Sequence, residues 1–413
     1  MTPAASTRTT ALDTGEDERL RPTSGEAPAG RVPLPGAQPL TVPEVQLDGH
    51  GNVRVAGYSP FAGSRLLEIR FREGRRIDFP VLVAPMVGIS HVAFRALIRS
   101  YLPAGCSTLL FTEMLSSRRL PSERVGDTPL TYVMEGGERD LVPQLLANEE
   151  RFISESVKKL EAIAPAGIDI NMGCPVKQAL SHNWGVALMG DIGYASGVVS
   201  VARRHVRQPL SVKMRSGLTE NLSYLLDFVQ AMQDSGADWV TLHPRIQPQG
   251  RRGRASWETI GNARDAVTIP VVGNGDVQTA DDVLAMRADT GCDGVMVARV
   301  ATARPWIFWQ VGEALGLPPP PGREGERAPR TPEEEGREYR RALLFFVDQL
   351  RNWFTPEEAL RRLRFFVAWG HRWLPFGHHL WAQMTKVQDL HAARAAVEGF
   401  FENPHAMRER TSL

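Results

Sequence analysis

Eight short apolar runs, most of them followed by a longer amphipathic stretch, are the feature that most narrows what this chain can fold into. They are "VLVAPM" (81–86), "TLLFTEM" (108–114), "LVPQLLA" (141–147), "GIDINMGC" (167–174), "LSVKMR" (210–215), "WVTLHPR" (239–245), "IPVVGNGD" (269–276) and "GVMVARV" (294–300). Each has the length and apolar content of a buried strand. Segments such as "HVAFRALIRSYL", "ERFISESVKKLEAIA", "LSYLLDFVQAMQDSG" and "ADDVLAMRADTG" carry helical periodicity between them. A strand, a helical crossover and another strand pair in parallel. Eight such units between Val81 and Leu315 predict an α/β chain built as a TIM (β/α)8 barrel, a fold of roughly 250 residues. A doubly wound open sheet is the alternative that the pattern alone allows.

The polar residues fall where a barrel would use them. Each run is apolar at its start and ends on something unusual: Pro85-Met86, Thr112-Glu113, Gln144, Asn171 with Cys174, Lys213 with Arg215, His243 with Arg245, Asn274-Gly275-Asp276, and Arg299. In this fold the C-terminal strand ends converge on one mouth, where the chemistry is done. "GNGD" and "ARV" then occupy the last two loops, the usual anion site of the fold, with Arg299 adding a permanent charge. Lys213 and His243 are placed to reach a ring system or its phosphate from the side. Cys174, one of only three cysteines, stands between Gly173 and Pro175 just past a strand. Three scattered cysteines make neither a disulfide framework nor a metal site, and a reducing cytoplasm is expected. A lone thiol is more often an inert core residue than a reactive one.

Outside the barrel, residues 1–40 are rich in Thr, Pro, Ala and Gly and read as a disordered tail. Residues 41–78 contain "NVRVAGYSP" and "RLLEIRF", expected as a small β-extension. The barrel domain is expected over 79–316, a Pro- and Gly-rich linker over 317–336, and a helical domain over 337–403. In that last part "YRRALLFFVDQLRNWF" and "EALRRLRFFVAWGHRWL" mix arginines with aromatics at helical spacing. Arg361, Arg362, Arg364 and Arg372, with His371, form a local basic cluster in a chain whose formal net charge is only +1. Most of the aromatics are expected as bundle core. A second cluster, Arg245, Arg251, Arg252 and Arg254, follows the sixth run. No apolar run approaches the roughly 18 residues of a membrane span. No membrane association, no metal and a monomeric state are expected.

The motifs "APMVGISHVAFR", "FTEM", "QLLAN", "DINMGCPVK", "SVKMRSG", "VGNGD" and "DGVMVAR…PWIF", in this order, resemble those of the dihydrouridine synthases, flavin enzymes that reduce uridine in tRNA. The resemblance runs from Phe79 to Phe308, is most specific at "NMGCP", and suggests a divergent member of the bacterial type. It implies FMN as cofactor, NADPH as reductant and a helical domain that grips tRNA. It also implies roles position by position. Cys174 would be the proton donor. Pro85, Met86, Gln144, Lys213 and His243 would contact the flavin, and Asn274, Gly275, Asp276, Ala298 and Arg299 would hold its phosphate. Asn171, and more weakly Arg215, would meet the target uracil, with Arg245, Arg361, Arg362 and Arg364 on the RNA. The chain departs from the family pattern in "HPRIQPQGRRGRASW", in "NWGVALM", which puts Trp184 near the entrance, and in Ala298 where a glycine is common. A flavin barrel acting on a small pyrimidine or enone, reduction of uridine in rRNA, and an RNA-binding protein with a decayed barrel are the other readings.

Overall fold

The computed structural model describes residues 61–134 and 137–412, together with the backbone of two short strands, β1 (Val45–Leu47) and β2 (Val53–Val55), which pair antiparallel. The tail expected over 1–40 lies outside the described residues. Eight parallel strands follow: β3 (Val81–Val83), β4 (Leu110–Ser116), β5 (Leu141–Leu146), β6 (Ile168–Met172), β7 (Leu210–Arg215), β8 (Trp239–His243), β9 (Val271–Asn274) and β10 (Gly294–Val297). They pair in sequence order and β10 pairs back onto β3, closing the TIM barrel. Each strand overlaps one of the eight apolar runs, and all but β4, which continues to Ser116, lie within them. The open-sheet alternative is excluded by the β10–β3 pairing of Val295–Val297 with Val81–Val83.

The barrel helices are α1 (Val92–Arg99), α2 (Glu150–Leu160), α3 (Lys177–Ser181), α4 (Ile192–His205), α5 (Leu222–Asp234), α6 (Trp257–Ala266), α7 (Ala280–Thr290), α8 (Val300–Ala303) and α9 (Ile307–Ala314). Side-chain caps start several of them. Asp191 accepts the N–H of Tyr194, Asn221 that of Tyr224, and Thr279 with Asp282 forms a capping box on α7. Among the described residues, the connection from β4 to β5 carries no α-helix. It is fastened instead by Glu138, whose buried carboxylate takes Arg95 of α1 at 2.6 and 2.7 Å, and by Tyr132, which packs on Trp353 and Phe354.

"RLLEIRF" is a correction to the expected β-extension: Arg65–Glu68 is a 3₁₀ turn, not a strand. Its conformation is set from a distance. The backbone N–H and guanidinium of Arg65 converge on Asp293, just before β10, at 2.7–3.1 Å. Leu66, Phe71 and Ile77 then pack with Leu82, Leu109 and Trp239 to stopper the barrel end opposite the mouth. Burial of that apolar surface outweighs the local preference of an alternating sequence.

The helical part comprises α10 (Pro332–Trp353), α11 (Pro356–Gly370), α12 (Gly377–Lys386) and α13 (Leu390–Phe400). The expected linker over 317–336 is therefore too long, because 332–336 are already helical. Pro332, read from sequence as a breaker, sits at the first helical position, and Thr331 and Glu334 make the capping box that starts α10. The residues before it are not a loose spacer. Arg323 lies over the ring of Trp309 and pairs with Glu338 of α10. The aromatics of α10 and α11 are largely core: Phe346 and Phe366 have ring centroids 4.3 Å apart, and Phe94 of α1 packs on Phe366. Beyond α13 the chain runs back across both parts, where Arg410 pairs with Asp282 of α7 and Met407 N–H bonds the carbonyl of Pro332. No helix among the described residues is long and apolar enough to cross a membrane.

Candidate active site

Strand register decides which polar groups meet inside the barrel. Gln144 stands opposite Asp169, Asp169 opposite Ser211, and Asn171 opposite Lys213. Alternation sends Ile168 and Ile170 to the helices and Asp169 and Asn171 to the lumen. Gln144 donates through Nε2 to Asp169 Oδ2 (2.7 Å) and accepts through Oε1 from Asn171 Nδ2 (2.8 Å). Ser211 donates its hydroxyl to Asp169 Oδ1. Asn171 Oδ1 in turn accepts the backbone N–H groups of Gly173 (3.0 Å) and Cys174 (2.9 Å), folding the turn that carries the thiol.

Three residues expected on flavin or base are engaged within the protein. Both lone-pair directions of Asn171 Oδ1 and one of its two amide hydrogens are occupied, so Asn171 builds the Cys174 turn and has one amide hydrogen left to offer a base. Gln144, fully buried, likewise has both ends of its amide engaged. Arg215 donates to the carbonyls of Gly173 (3.0 Å) and Ile246 (3.3 Å), so it clamps the same turn from the other side.

Cys174 is 8% exposed and packs with Ala179 and Trp184, against Met114 and Leu146. Burial pushes its thiol above the usual range, while the N–H of Val176 and the charges of Arg215 and Lys213 pull weakly the other way. The net effect keeps the thiol protonated at neutral pH. Trp184 is buried rather than loose at the entrance. Its Nε1 donates to Asn148 Oδ1 at 2.8 Å, and His182 stacks on it. Gly185, at φ +63°, follows because a Cβ there would lie 2.5 Å from the Cys174 carbonyl oxygen.

Lys213 is half-buried and donates to Asn274 Oδ1 at 3.1 Å, and Asn274 Nδ2 donates to the Met296 carbonyl at 2.6 Å. Burial lowers the Lys213 amine to about 8, against the pull of Asp169. Burial also raises the Asp169 carboxyl to about 7, against Ser211, Gln144 and Lys213. Asn274, expected on a phosphate, thus uses its side chain to hold Lys213. Asp276 is engaged too: its carboxylate takes Arg245 Nη2 at 2.6 and 2.9 Å and the N–H of Ala255 at 2.6 Å. What "NGD" leaves for an anion is backbone at Gly275 and Asp276, both at positive φ.

Arg245 is the clearest correction. Its side chain is 2% exposed and donates to Asp276, to the carbonyls of Arg252 and Gly253, and to His243 Nε2 at 3.1 Å. It braces the loop beneath the surface and cannot reach RNA. The carboxylate that buries it comes from the next strand's loop, which the local "HPRIQPQGRRGR" could not reveal. Because a guanidinium only donates, His243 Nε2 must be its acceptor and Nδ1 carries the ring hydrogen. Burial, then Lys213, Arg215, Arg245 and Arg299, lowers His243 to about 2, so the ring is neutral.

Arg299 precedes α8 and is half-buried. Burial, then Arg251 and Arg245, drags its guanidinium to about 10. Cations forced this close, with Asp276 already engaged by Arg245, fit an anionic group held at the mouth. At the barrel rim Pro85 and Met86 enter a turn in which Met86 N–H bonds Ser90 Oγ at 2.8 Å. Ala298 packs against the barrel core.

Of the three helical arginines expected on RNA, Arg361, Arg362 and Arg364, only Arg361 is exposed. Arg362 is buried over the ring of Phe354 and faces Glu113 at 3.4 Å. Arg364 donates to the carbonyls of Met384 and Val387, closing the end of α12. Both were expected on RNA and both are structural, because the carbonyls and carboxylate they satisfy lie on other elements. Two further exposed cations, Arg251 and Arg372, have guanidinium groups 5.1 and 5.9 Å from the ring of Trp369.

The residues that sequence reasoning missed are Asp169 and Ser211, and Glu113 was read only as a strand-end residue of the mouth. Asp169 was legible in principle, standing two before Asn171 in an alternating strand. Glu113, whose carboxylate takes the Gly88 N–H at 2.6 Å and Arg362, links mouth to helical part in a way no local pattern signals.

The chain is similar in sequence to several known proteins. The probable tRNA-dihydrouridine synthase 1 of Synechocystis is 33% identical over 244 residues, covering 58% of this chain and 67% of its own length. The probable tRNA-dihydrouridine synthase of Mycobacterium tuberculosis is 32% identical over 320 residues, covering 75% and 79%. tRNA-dihydrouridine synthase B of Pseudomonas aeruginosa is 29% identical over 322 residues, covering 78% and 92%. With the dihydrouridine synthase model matching residues 82–328, from the first barrel strand past the last barrel helix, the chain belongs to the dihydrouridine synthase family.

Proposed function

We propose that this chain reduces uridine in tRNA to 5,6-dihydrouridine, with FMN held at the barrel mouth and NADPH as the source of electrons. The observation that carries the reading is Cys174, a thiol that burial keeps protonated, on a turn fixed by Asn171 and Arg215 beside the cationic mouth. Saturating the uracil double bond requires a hydride at carbon 6 and a proton at carbon 5. The chemistry that a bound reduced flavin supplies is the hydride. Cys174 gives the proton, and a thiol below its pKa at neutral pH can do so.

The other residues bind and orient. Arg299 and the backbone of Gly275 and Asp276 hold the phosphate, and Lys213, fixed by Asn274, offers an N–H and positive charge to an electron-rich ring. His243 can donate only through Nδ1. Pro85, Met86 and Ala298 line the rim on which the ring would lie. On the outside, Arg251, Arg361 and Arg372 with Trp369 present charge and a stacking face to RNA, while the barrel receives the flipped target base.

The test is mass spectrometry of nucleosides from tRNA and from rRNA, each incubated with purified protein and NADPH. A gain of two hydrogens on uridine in tRNA is the expected result. A gain confined to rRNA would move the substrate, and none in either, from a flavin-loaded protein, would turn the assignment to a small pyrimidine or enone.

A further inference from the structure

Hydrogen-bond direction along one buried chain joins the floor of the site to the thiol at its mouth. Asp169, fully buried, presents only acceptors when ionised and is met by Gln144 Nε2 at 2.7 Å and by the Ser211 hydroxyl. With its nitrogen turned to Asp169, Gln144 has only Oε1 left on its other side, so Asn171 must bring its nitrogen there, at 2.8 Å. Asn171 then has only Oδ1 left for the turn, where it meets the N–H groups of Gly173 and Cys174. A reversed amide at either step would set hydrogen against hydrogen at the turn. An amide is nearly symmetric in shape, so packing alone does not choose its orientation; the acceptor at one end of the chain and the two backbone N–H donors at the other do.

We infer that Asp169 is a positioning residue: as the acceptor at the base of the Gln144–Asn171 chain, it anchors from below the amide orientation that holds the Cys174 turn closed. The importance of this for catalysis rests on the acid role proposed for Cys174, but the arrangement does not. It requires an acceptor oxygen at position 169, not a charge.

Alkylation of Cys174 by iodoacetamide, followed by peptide mass spectrometry of the purified full chain, reads the turn without flavin turnover or RNA. Buried Cys292 serves as the internal standard of folding. Asp169→Leu removes the acceptor and should speed alkylation of Cys174 about tenfold, the scale of one lost buried hydrogen bond, with Cys292 unchanged. Asp169→Asn can still turn an oxygen to Gln144 and a nitrogen to Ser211, and should stay near wild type. Gln144→Met breaks the chain one link later and should match Asp169→Leu, and the double variant should add nothing further, as links acting as one unit do. If Asp169→Leu does not fold, Gln144→Met against Asp169→Asn carries the same comparison. Equal rates in Gln144→Met and wild type, or independent additive effects, would overturn the inference. Because the readout is thiol reactivity, it can fail while uridine reduction succeeds, and succeed while uridine reduction fails.

Discussion

At the scale of single residues, the site works by keeping charged and neutral forms apart. Cys174 is held as a thiol by burial, so Cys174→Ala should retain flavin and tRNA binding yet lose about 10² to 10⁴ in the rate of uridine reduction, read by single-turnover kinetics. Wild-type rates in that variant would remove Cys174 from the chemistry. His243 gives a pH signature with a definite sign. Its ring is depressed in the folded protein to about 2, below its unfolded value of 6.5. Its contribution to stability is therefore complete above pH 6.5 and is lost progressively as pH falls toward 2. Thermal midpoints should fall between pH 7.5 and 5, and His243→Gln, which keeps an acceptor for Arg245, should flatten that fall. An unchanged slope would show that other groups dominate. Asp169, raised to about 7, acts oppositely: its contribution is present at low pH and fades as pH rises through 7.

At the scale of elements, α11 divides its arginines between support and surface. Arg362 stabilises the contact between helix and barrel through Glu113 and Phe354, so Arg362→Ala should lower the thermal midpoint and leave a buried carboxylate without its cation. Arg361→Ala and Arg251→Ala remove exposed charge, and each should reduce the salt dependence of tRNA binding by about one unit of slope, with little change in stability. The turn between α11 and α12 presents a second kind of contact. Phe376 is 66% exposed at φ +56°, an uncommon conformation for a bulky residue, with His378 and His379 beside it. Gly377 packs against the His371 carbonyl, where a Cβ would come within 1.9 Å, so no side chain fits at this position. Stacking of this ring on an unpaired base would make Phe376→Ala bind tRNA several-fold to about a hundredfold more weakly, as measured by filter binding, and Phe376→Trp should restore it. Equal affinity in Phe376→Ala would exclude the contact.

At the scale of the whole molecule, barrel and helices are joined by buried ion pairs rather than by a flexible linker. Arg304, after α8, takes Glu335 of α10 at 2.7 Å, lies 4.5 Å from the Trp373 ring, and bonds the carbonyls of Arg408 and Glu409 in the C-terminal segment. Arg304→Ala should therefore destabilise by about 3–5 kcal/mol, the usual effect of leaving one member of a buried pair alone. Arg410→Ala, at the exposed end of the same segment, should change stability by about 1 kcal/mol or less. Denaturant titration separates the two, and equal small effects would mean that the joint is held by its apolar contacts alone. A rigid joint also fixes the distance from Cys174 to the exposed arginines proposed to meet RNA, which is what would let a grip on one part of a tRNA present a chosen uridine.

The sequence by itself determined the barrel. Its eight apolar runs coincide with the eight strands, because burial periodicity and strand length are written locally. It also determined the thiol turn, since Asn171, Gly173, Cys174 and Pro175 are neighbours in sequence. Only the tertiary structure decided what each charge does. Arg245, Arg362 and Arg364 look in sequence like surface cations, but their acceptors, Asp276, Glu113 and the Met384 carbonyl, lie 20 or more residues away. Arg65–Glu68 alternates like a strand yet coils, because Asp293, 228 residues later, captures Arg65. Asp169 acquires its place from register with Gln144 and Ser211 on two other strands. The physical reason is one of range: apolar pattern and turn chemistry act within a few residues, whereas a buried charge is defined by whichever partner the closed barrel brings to it.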